Sequence, residues 1–152
     1  AELVDLAEHD LPLCGGAGSF DHPSAKTLRG LIDAAGAILV SSPVYNYDLN
    51  AAAKNLMELT GSAWRDKPVG FLCAVGGRTS YMSPIGFANS LMFDFRCLIV
   101  PRFAYCTKND FTEAGEPGPE IRDRVERLAA AVVDLSCALA WVRENKAAVA
   151  AP

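Results

Sequence analysis

Two short polar stretches hold the residue types that could do chemistry. One is Pro43-Val44-Tyr45-Asn46-Tyr47-Asp48, the other Gly76-Gly77-Arg78-Thr79-Ser80-Tyr81-Met82-Ser83. Adjacent glycines let backbone come close to a flat ligand. Backbone N–H groups there, with the hydroxyls of Thr79 and Ser80, could hydrogen-bond the carbonyls and nitrogens of a polar ring. Tyr45 and Tyr81 offer apolar faces with polar tips. Arg78 suits an anionic group such as a phosphate. Taken alone, each stretch is also what an ordinary turn uses, since turns favour Pro, Asn, Asp and Gly. Their place in the chain raises them above that.

Both stretches follow apolar runs. Ala37 to Val40 (AILV) reads as a short strand buried on both faces. Ser41, Ser42 and Pro43 are expected to end it, because Pro43 cannot donate to a ladder. Asn50 is a good N-cap for a helix starting at Ala51, with Ala53, Leu56, Met57 and Thr60 on one face and Gly61 as its stop. Val69 to Val75 (VGFLCAV), opened by Pro68, reads as a second interior strand. Each candidate loop therefore leaves the carboxyl end of a buried strand. In an open parallel sheet that is where ligands bind.

The remaining elements complete an alternation. Glu2 to Leu6 reads as a first strand, followed by a Pro- and Gly-containing loop from Ala7 to Pro23. Ser24 is the expected cap of a helix from Ala25 to Ala35, with Leu28, Leu31 and Ile32 inward and Gly36 ending it. Trp64 to Lys67 reads as a connection. A helix is expected from about Pro84 to Phe95, then a strand from Leu98 through Pro101 to Phe103, and a polar loop from Cys106 to Gly118. Pro119 opens the last helix. Ile121, Val125, Leu128, Val132, Leu135, Leu139 and Val142 step along it by threes and fours as far as Arg143. Such a stripe fits a face packed on a sheet better than a helix-pairing seam. The tail AAVAAP is expected to fray. Strand and helix alternate four times, which predicts a parallel sheet with helices on both faces.

Composition narrows the function classes. The chain has 152 residues, 51% hydrophobic, enough for one domain (1–152) with a sizeable core. A net charge of -4 without a basic block argues against nucleic acid as partner. No apolar run approaches the ~20 residues that span a bilayer, so no membrane partner is expected. No signal peptide is visible, although the chain starts at Ala1 without a Met. The five cysteines are odd in number and include no C-x-x-C pair, so neither a disulfide framework nor a zinc site is indicated. Cys73 and Cys137 sit in apolar contexts and read as core thiols. A reduced, cytoplasmic setting follows. The two histidines, His9 and His22, lie near no candidate Cys or Ser nucleophile, so a hydrolase triad has little support.

The stretch SSPVYNYDLNAAAKNLMELTG resembles the P-x-Y-N…K-N segment of the NADPH-dependent FMN reductase family, with Lys54 and Asn55 as the Lys-Asn pair. AVGGRTSYMSPIGFANSLMFDF is similar to that family's glycine-rich flavin loop and following helix, and CLIVPRFAYC to its next strand. From about residue 1 to 143 the order of elements matches. The resemblance implies a flavodoxin-like open sheet and a flavoprotein. FMN would take hydride from NADPH or NADH and pass electrons to a small-molecule acceptor, so no side-chain acid or base is required. It implies Pro43, Val44, Tyr45 and Asn46, with Gly76, Gly77, Arg78, Thr79 and Ser80, as ring-side FMN contacts. It also implies a homodimer or homotetramer, to which Ala7 to Pro23 and Phe103 to Phe111 could contribute. Arg78 and Arg102 are each candidates for reading a 2′-phosphate.

The match breaks at the start. The family opens with a buried strand and a Gly-Ser-x-Arg-type loop that binds the FMN phosphate at a helix N-terminus. Nothing here corresponds, and this chain starts at the family's second strand. In the flavodoxin order the absent strand lies in the middle of the sheet. Three accounts are open. Roughly 30 residues, one strand-plus-helix unit, precede this sequence in the natural protein. Or Glu2 to Leu6 pairs directly with Ala37 to Val40. Or another chain adds the strand. The leading expectation is an NAD(P)H-dependent FMN-type oxidoreductase. Its chief rival is a cofactor-less protein of the same fold that acts through protein interfaces. A flavodoxin-type electron carrier is disfavoured by the modest net charge, and a phosphatase or hydrolase by the lack of a nucleophile–base pair.

Overall fold

β3 (Pro68–Ala74) is the strand on which the sheet is built. Its side chains alternate between two packed layers. Val69, Phe71 and Cys73 are buried on one face, against α2 (Ala51–Thr60) and α3 (Ile85–Phe95). Leu72 packs on the other face with Val100, Ala104, Leu128 and Val132, beneath α4 (Pro119–Glu144). Gly70 lies on that second face. A Cβ built there would come within 2.8–2.9 Å of Leu39 Cδ2, Leu128 Cδ1 and Val132 Cγ2, so glycine is what lets α4 seat on the sheet. The computed structural model describes residues 1–146, and the expected frayed tail, 147–152, lies outside them.

β1 (Ile38–Tyr45) runs parallel to β3, in register from Ile38 opposite Val69 to Pro43 opposite Ala74. β4 (Leu98–Ile99) and β5 (Ala104–Cys106) both lie parallel to β3 on its other edge. α1 (Pro23–Ala34) packs beside α2, sending Ile32 toward the core. The doubly covered parallel sheet is the one expected.

Several details differ from expectation. β1 does not stop at Pro43. It continues to Tyr45 and folds back as an antiparallel hairpin with β2 (Asp48–Leu49), pairing Val44 with Leu49 and Tyr45 with Asp48. Pro43 is tolerated because β1 has a partner on one side only at that point, and a missing N–H on the open side costs no ladder bond. Glu2 to Leu6 is not a strand. Leu3 is 94% exposed, and the Asp5 side chain accepts a hydrogen bond from Ala7 N at 2.9 Å, drawing Leu6–Glu8 into a 3-10 turn instead. Direct pairing of Glu2–Leu6 with Ala37–Val40 is thereby overturned. Along Ile38–Pro43 the outer edge of β1 has no strand beside it among the described residues.

Other corrections are local. The cap position of α1 is His22, with Pro23 in the first turn and Ser24 already helical, as suits a residue with no N–H to lose. Of the expected Leu98–Phe103 strand only Leu98–Ile99 forms, as β4, and the next strand, β5, starts beyond Pro101 at Ala104. Trp64 is no mere connection. It ends a 3-10 turn (Gly61–Trp64), is 2% exposed, donates from Nε1 to Thr60 Oγ1 at 2.7 Å and meets the Phe87 ring edge-on. Cys137 is exposed rather than core, because it lies on the outward face of α4 with Val133, while Leu128, Val132 and Leu135 face the sheet. Of the α4 stripe, only Ile121, Leu128 and Val132 are fully buried.

Candidate functional site

The carboxyl ends of β1 and β3 lie side by side, since Pro43 faces Ala74. Each strand feeds one arm of the site. The first arm is the β1–β2 hairpin. Its two-residue loop, Asn46-Tyr47, has φ of 52° and 63°. A hairpin this tight needs positive φ at both positions to match the twist of its strands. Asn tolerates that conformation, whereas a tyrosine there is uncommon. The turn throws both neighbouring rings outward, and Tyr45 and Tyr47 are 63% and 67% exposed. Val44 points inward and packs on the core.

The base of this arm is held by short polar links. Buried Ser42 accepts a hydrogen bond from Asn50 N at 3.2 Å through its Oγ. Asn50 Oδ1 accepts from Ala53 N at 3.0 Å, the expected N-cap of α2. Asp48 Oδ1 accepts from Leu49 N at 2.8 Å. α2 itself ends as expected at Gly61, whose φ of 47° suits glycine.

The second arm leaves β3. Val75 N donates to Cys106 O at 2.8 Å, and the chain then turns through Gly76, Gly77 and a 3-10 turn at Arg78–Ser80. Ser83 Oγ donates to Ser80 O, and Tyr105 Oη donates to Tyr81 O. These two bonds tie the far end of the arm to itself and to β5. A Cβ built at Gly76 or Gly77 meets nothing within 4 Å, so the backbone there faces open space. The arms meet where Tyr47 Oη donates to Thr79 Oγ1 at 3.5 Å. A separate cavity of about 200 Å³ lies on the β5 side of Gly77, lined by Val75, Tyr81, Tyr105, Thr107, Asp110, Glu120 and Arg124.

The electrostatics favour binding over side-chain catalysis. Burial pushes the Cys73 thiol up to about 12 and the Tyr105 phenol to about 12. Burial also raises Cys97 and Cys106, the latter with help from the Asp110 carboxylate. None of these thiols is a thiolate at neutral pH, so none is an activated nucleophile. No group of three or more His, Cys, Asp or Glu that could hold a metal occurs among the described residues.

Of the nine residues singled out from the sequence, Pro43, Val44, Tyr45 and Asn46 form one arm, and Gly76, Gly77, Arg78, Thr79 and Ser80 the other. Sequence reasoning gave Tyr47 no role of its own. The signal was present: a two-residue Asn-Tyr turn between a strand and an N-cap.

The arrangement fits the ring of a flat cofactor: open glycine backbone, exposed aromatic faces and hydroxyls at one sheet edge. It does not fit a phosphate equally well. The helix start nearest the hairpin, that of α2, is already capped by its own Asn50. An open α/β sheet with two loops leaving adjacent strands at its carboxyl edge is the arrangement in which doubly wound proteins bind ligands.

Comparison with known proteins makes this specific. The chain belongs to the NADPH-dependent FMN reductase family, whose model matches residues 1–112. It is 28% identical over 142 residues to an NAD(P)H-dependent FAD/FMN reductase of Geobacillus thermodenitrificans, covering 91% of this chain and 76% of that protein. It is 37% identical over 78 residues to an NADPH azoreductase of Bacillus sp., covering 50% of this chain and only 44% of that relative. Its fold matches that of the flavoenzyme NAD(P)H:(acceptor) oxidoreductase of Paracoccus denitrificans with a TM-score of 0.65 at 19% identity, over 81% of this chain and 74% of that one. The family is one of oxidoreductases whose cofactors are FMN and NAD(P)H, and the flavodoxin-like expectation holds.

Proposed function

We propose that this chain forms the ring-side half of an FMN site in an NAD(P)H-dependent oxidoreductase, with a small molecule as second acceptor. The observation that carries the reading is the meeting of the two arms at 3.5 Å between Tyr47 and Thr79 on the carboxyl edge of the sheet. FMN, when bound, supplies the redox chemistry: it takes hydride from the nicotinamide and passes electrons on. The residues bind and orient. Backbone N–H groups of Gly76 through Thr79 supply donors to the ring's polar edge, and the Thr79 and Ser80 hydroxyls add two more. Pro43, Tyr45 and Asn46 form the opposite wall, while Val44 holds that wall to the core. Arg78, by the chemistry of its residue type, is assigned to an anionic group of the dinucleotide. The reactant class is flavins, quinones or azo compounds, the last by analogy with the azoreductase relative.

Homodimeric or homotetrameric assembly in the cytoplasm belongs to the same proposal. No helix among the described residues is long and apolar enough to cross a membrane.

A second reading, a cofactor-less protein of this fold, is favoured by one observation, the start of α2 capped by its own Asn50. Titration of the 152-residue chain with FMN, followed by quenching of flavin fluorescence, separates the two. Stoichiometric binding, then NADPH or NADH oxidation with an added acceptor, supports the enzyme. Absence of binding would leave the fold intact and favour the second reading.

A further inference from the structure

Tyr47 spans the two arms. Its backbone lies in the left-handed region at φ 63°, next to Asn46 at 52°, so the hairpin holds the residue where a non-glycine side chain seldom sits. Such positions persist where the surroundings enforce them, and they cluster at ligand clamps and switches. The ring is 67% exposed, so core packing does not set its direction. Among the described residues its phenol reaches the hydroxyl of Thr79 at 3.5 Å, across 32 residues of sequence. That length is beyond the usual range of an O–H···O hydrogen bond. The contact is therefore weak and breaks at little cost on ligand entry.

We propose that Tyr47 is a positioning residue that latches the mouth of the site. In the ligand-free chain its phenol bridges the hairpin to the glycine arm. A flat ring entering between the arms must break that bridge, and the latch thus sets how often the site is open. This rests on the ring-side reading above for the nature of the ligand, but the latch itself belongs to the free chain. When only a fraction of molecules is open, apparent affinity and association rate fall by that fraction.

The test uses Tyr47→Phe, which keeps the ring and removes only the hydroxyl, Thr79→Val, which keeps the branched shape, and the double variant. In the ligand-free chain, amide hydrogen exchange across the paired hairpin, 45–49, should quicken in either single variant. The size expected is about two- to fivefold, the population change that a weak exposed hydrogen bond supports. The double variant should show no more than either single, as for two ends of one contact. Stopped-flow association of FMN, read in Tyr47→Phe because Thr79 is itself a proposed ring contact, should accelerate by the same factor. Unchanged exchange in Tyr47→Phe, additive effects in the double variant, or slower FMN association would each overturn the latch. If the unaltered chain binds no FMN, the cofactor reading fails, and the exchange measurement still decides the latch.

Discussion

The side-chain amide of Asn55 grips the backbone of the loop that holds Cys14. Its Oδ1 accepts from Cys14 N at 2.8 Å, and its Nδ2 donates to Pro12 O at 2.9 Å. Asn55 is one half of the Lys-Asn pair that carried the family resemblance. Here its two hydrogen bonds staple the long N-terminal loop to α2, while Lys54 forms a 3.5 Å ion pair with Glu58 on the same helix. Part of a motif read as functional is thus architectural.

Asn55→Ala should free that loop. Two hydrogen bonds are lost and two loop groups lose their partners, at a cost of about 1–3 kcal/mol. Limited proteolysis between residues 8 and 20 should accelerate while the sheet stays protected. A loop equally resistant in the variant would mean that other contacts hold it.

Gly70→Ala probes how α4 meets the sheet. The added methyl would press on Leu39, Leu128 and Val132 at 2.8–2.9 Å. Overpacking of this kind costs about 1–3 kcal/mol. A lower urea midpoint with an unchanged slope is the expected result, and an unchanged midpoint would show that the helix can shift outward at no cost.

Gly77→Leu separates binding from folding. The new side chain enters open space, since a Cβ there meets nothing within 4 Å and the backbone φ of -163° suits any residue. Thermal stability should hold while FMN affinity falls at least about tenfold, or about 1.4 kcal/mol. Undiminished FMN binding would refute the proposed position of the ring.

Alkaline pH should destabilise the fold. Cys73 is raised from 9.0 to about 12 and Tyr105 from 10.0 to about 12, both chiefly by burial. In each case the folded state holds its proton more tightly than the unfolded one. Their contribution is complete below pH 9 for Cys73 and below pH 10 for Tyr105, and it is lost as pH rises toward 12. The melting temperature should decline from pH 9 upward, and less steeply in Cys73→Ala. Equal slopes in the two proteins would exclude Cys73 as the titrating group.

Much of this protein was legible in its residues. Asn50 and Gly61 fix the ends of α2, Pro119 opens α4, and the apolar runs around Val40 and Phe71 mark buried strands. Those signals are local: capping, turn chemistry and hydrophobic period depend on neighbours in sequence. They also placed both candidate loops after the right strands.

Tertiary structure decided what depends on neighbours in space. Whether Glu2–Leu6 pairs depends on a partner edge, and Asp5 drew the chain into a local turn instead. Whether Pro43 ends a strand depends on which side of β1 is occupied. Cys137 lies outside the core because it sits on the outward face of α4, and Trp64 lies inside it because Thr60 and Phe87 converge on it. The sequence by itself determined the four helices, the buried strands around Val40 and Phe71 and the residue types of the two arms. Only the packed sheet brought Tyr47 to Thr79, because contact across 32 residues is set by strand register and not by the composition of either loop.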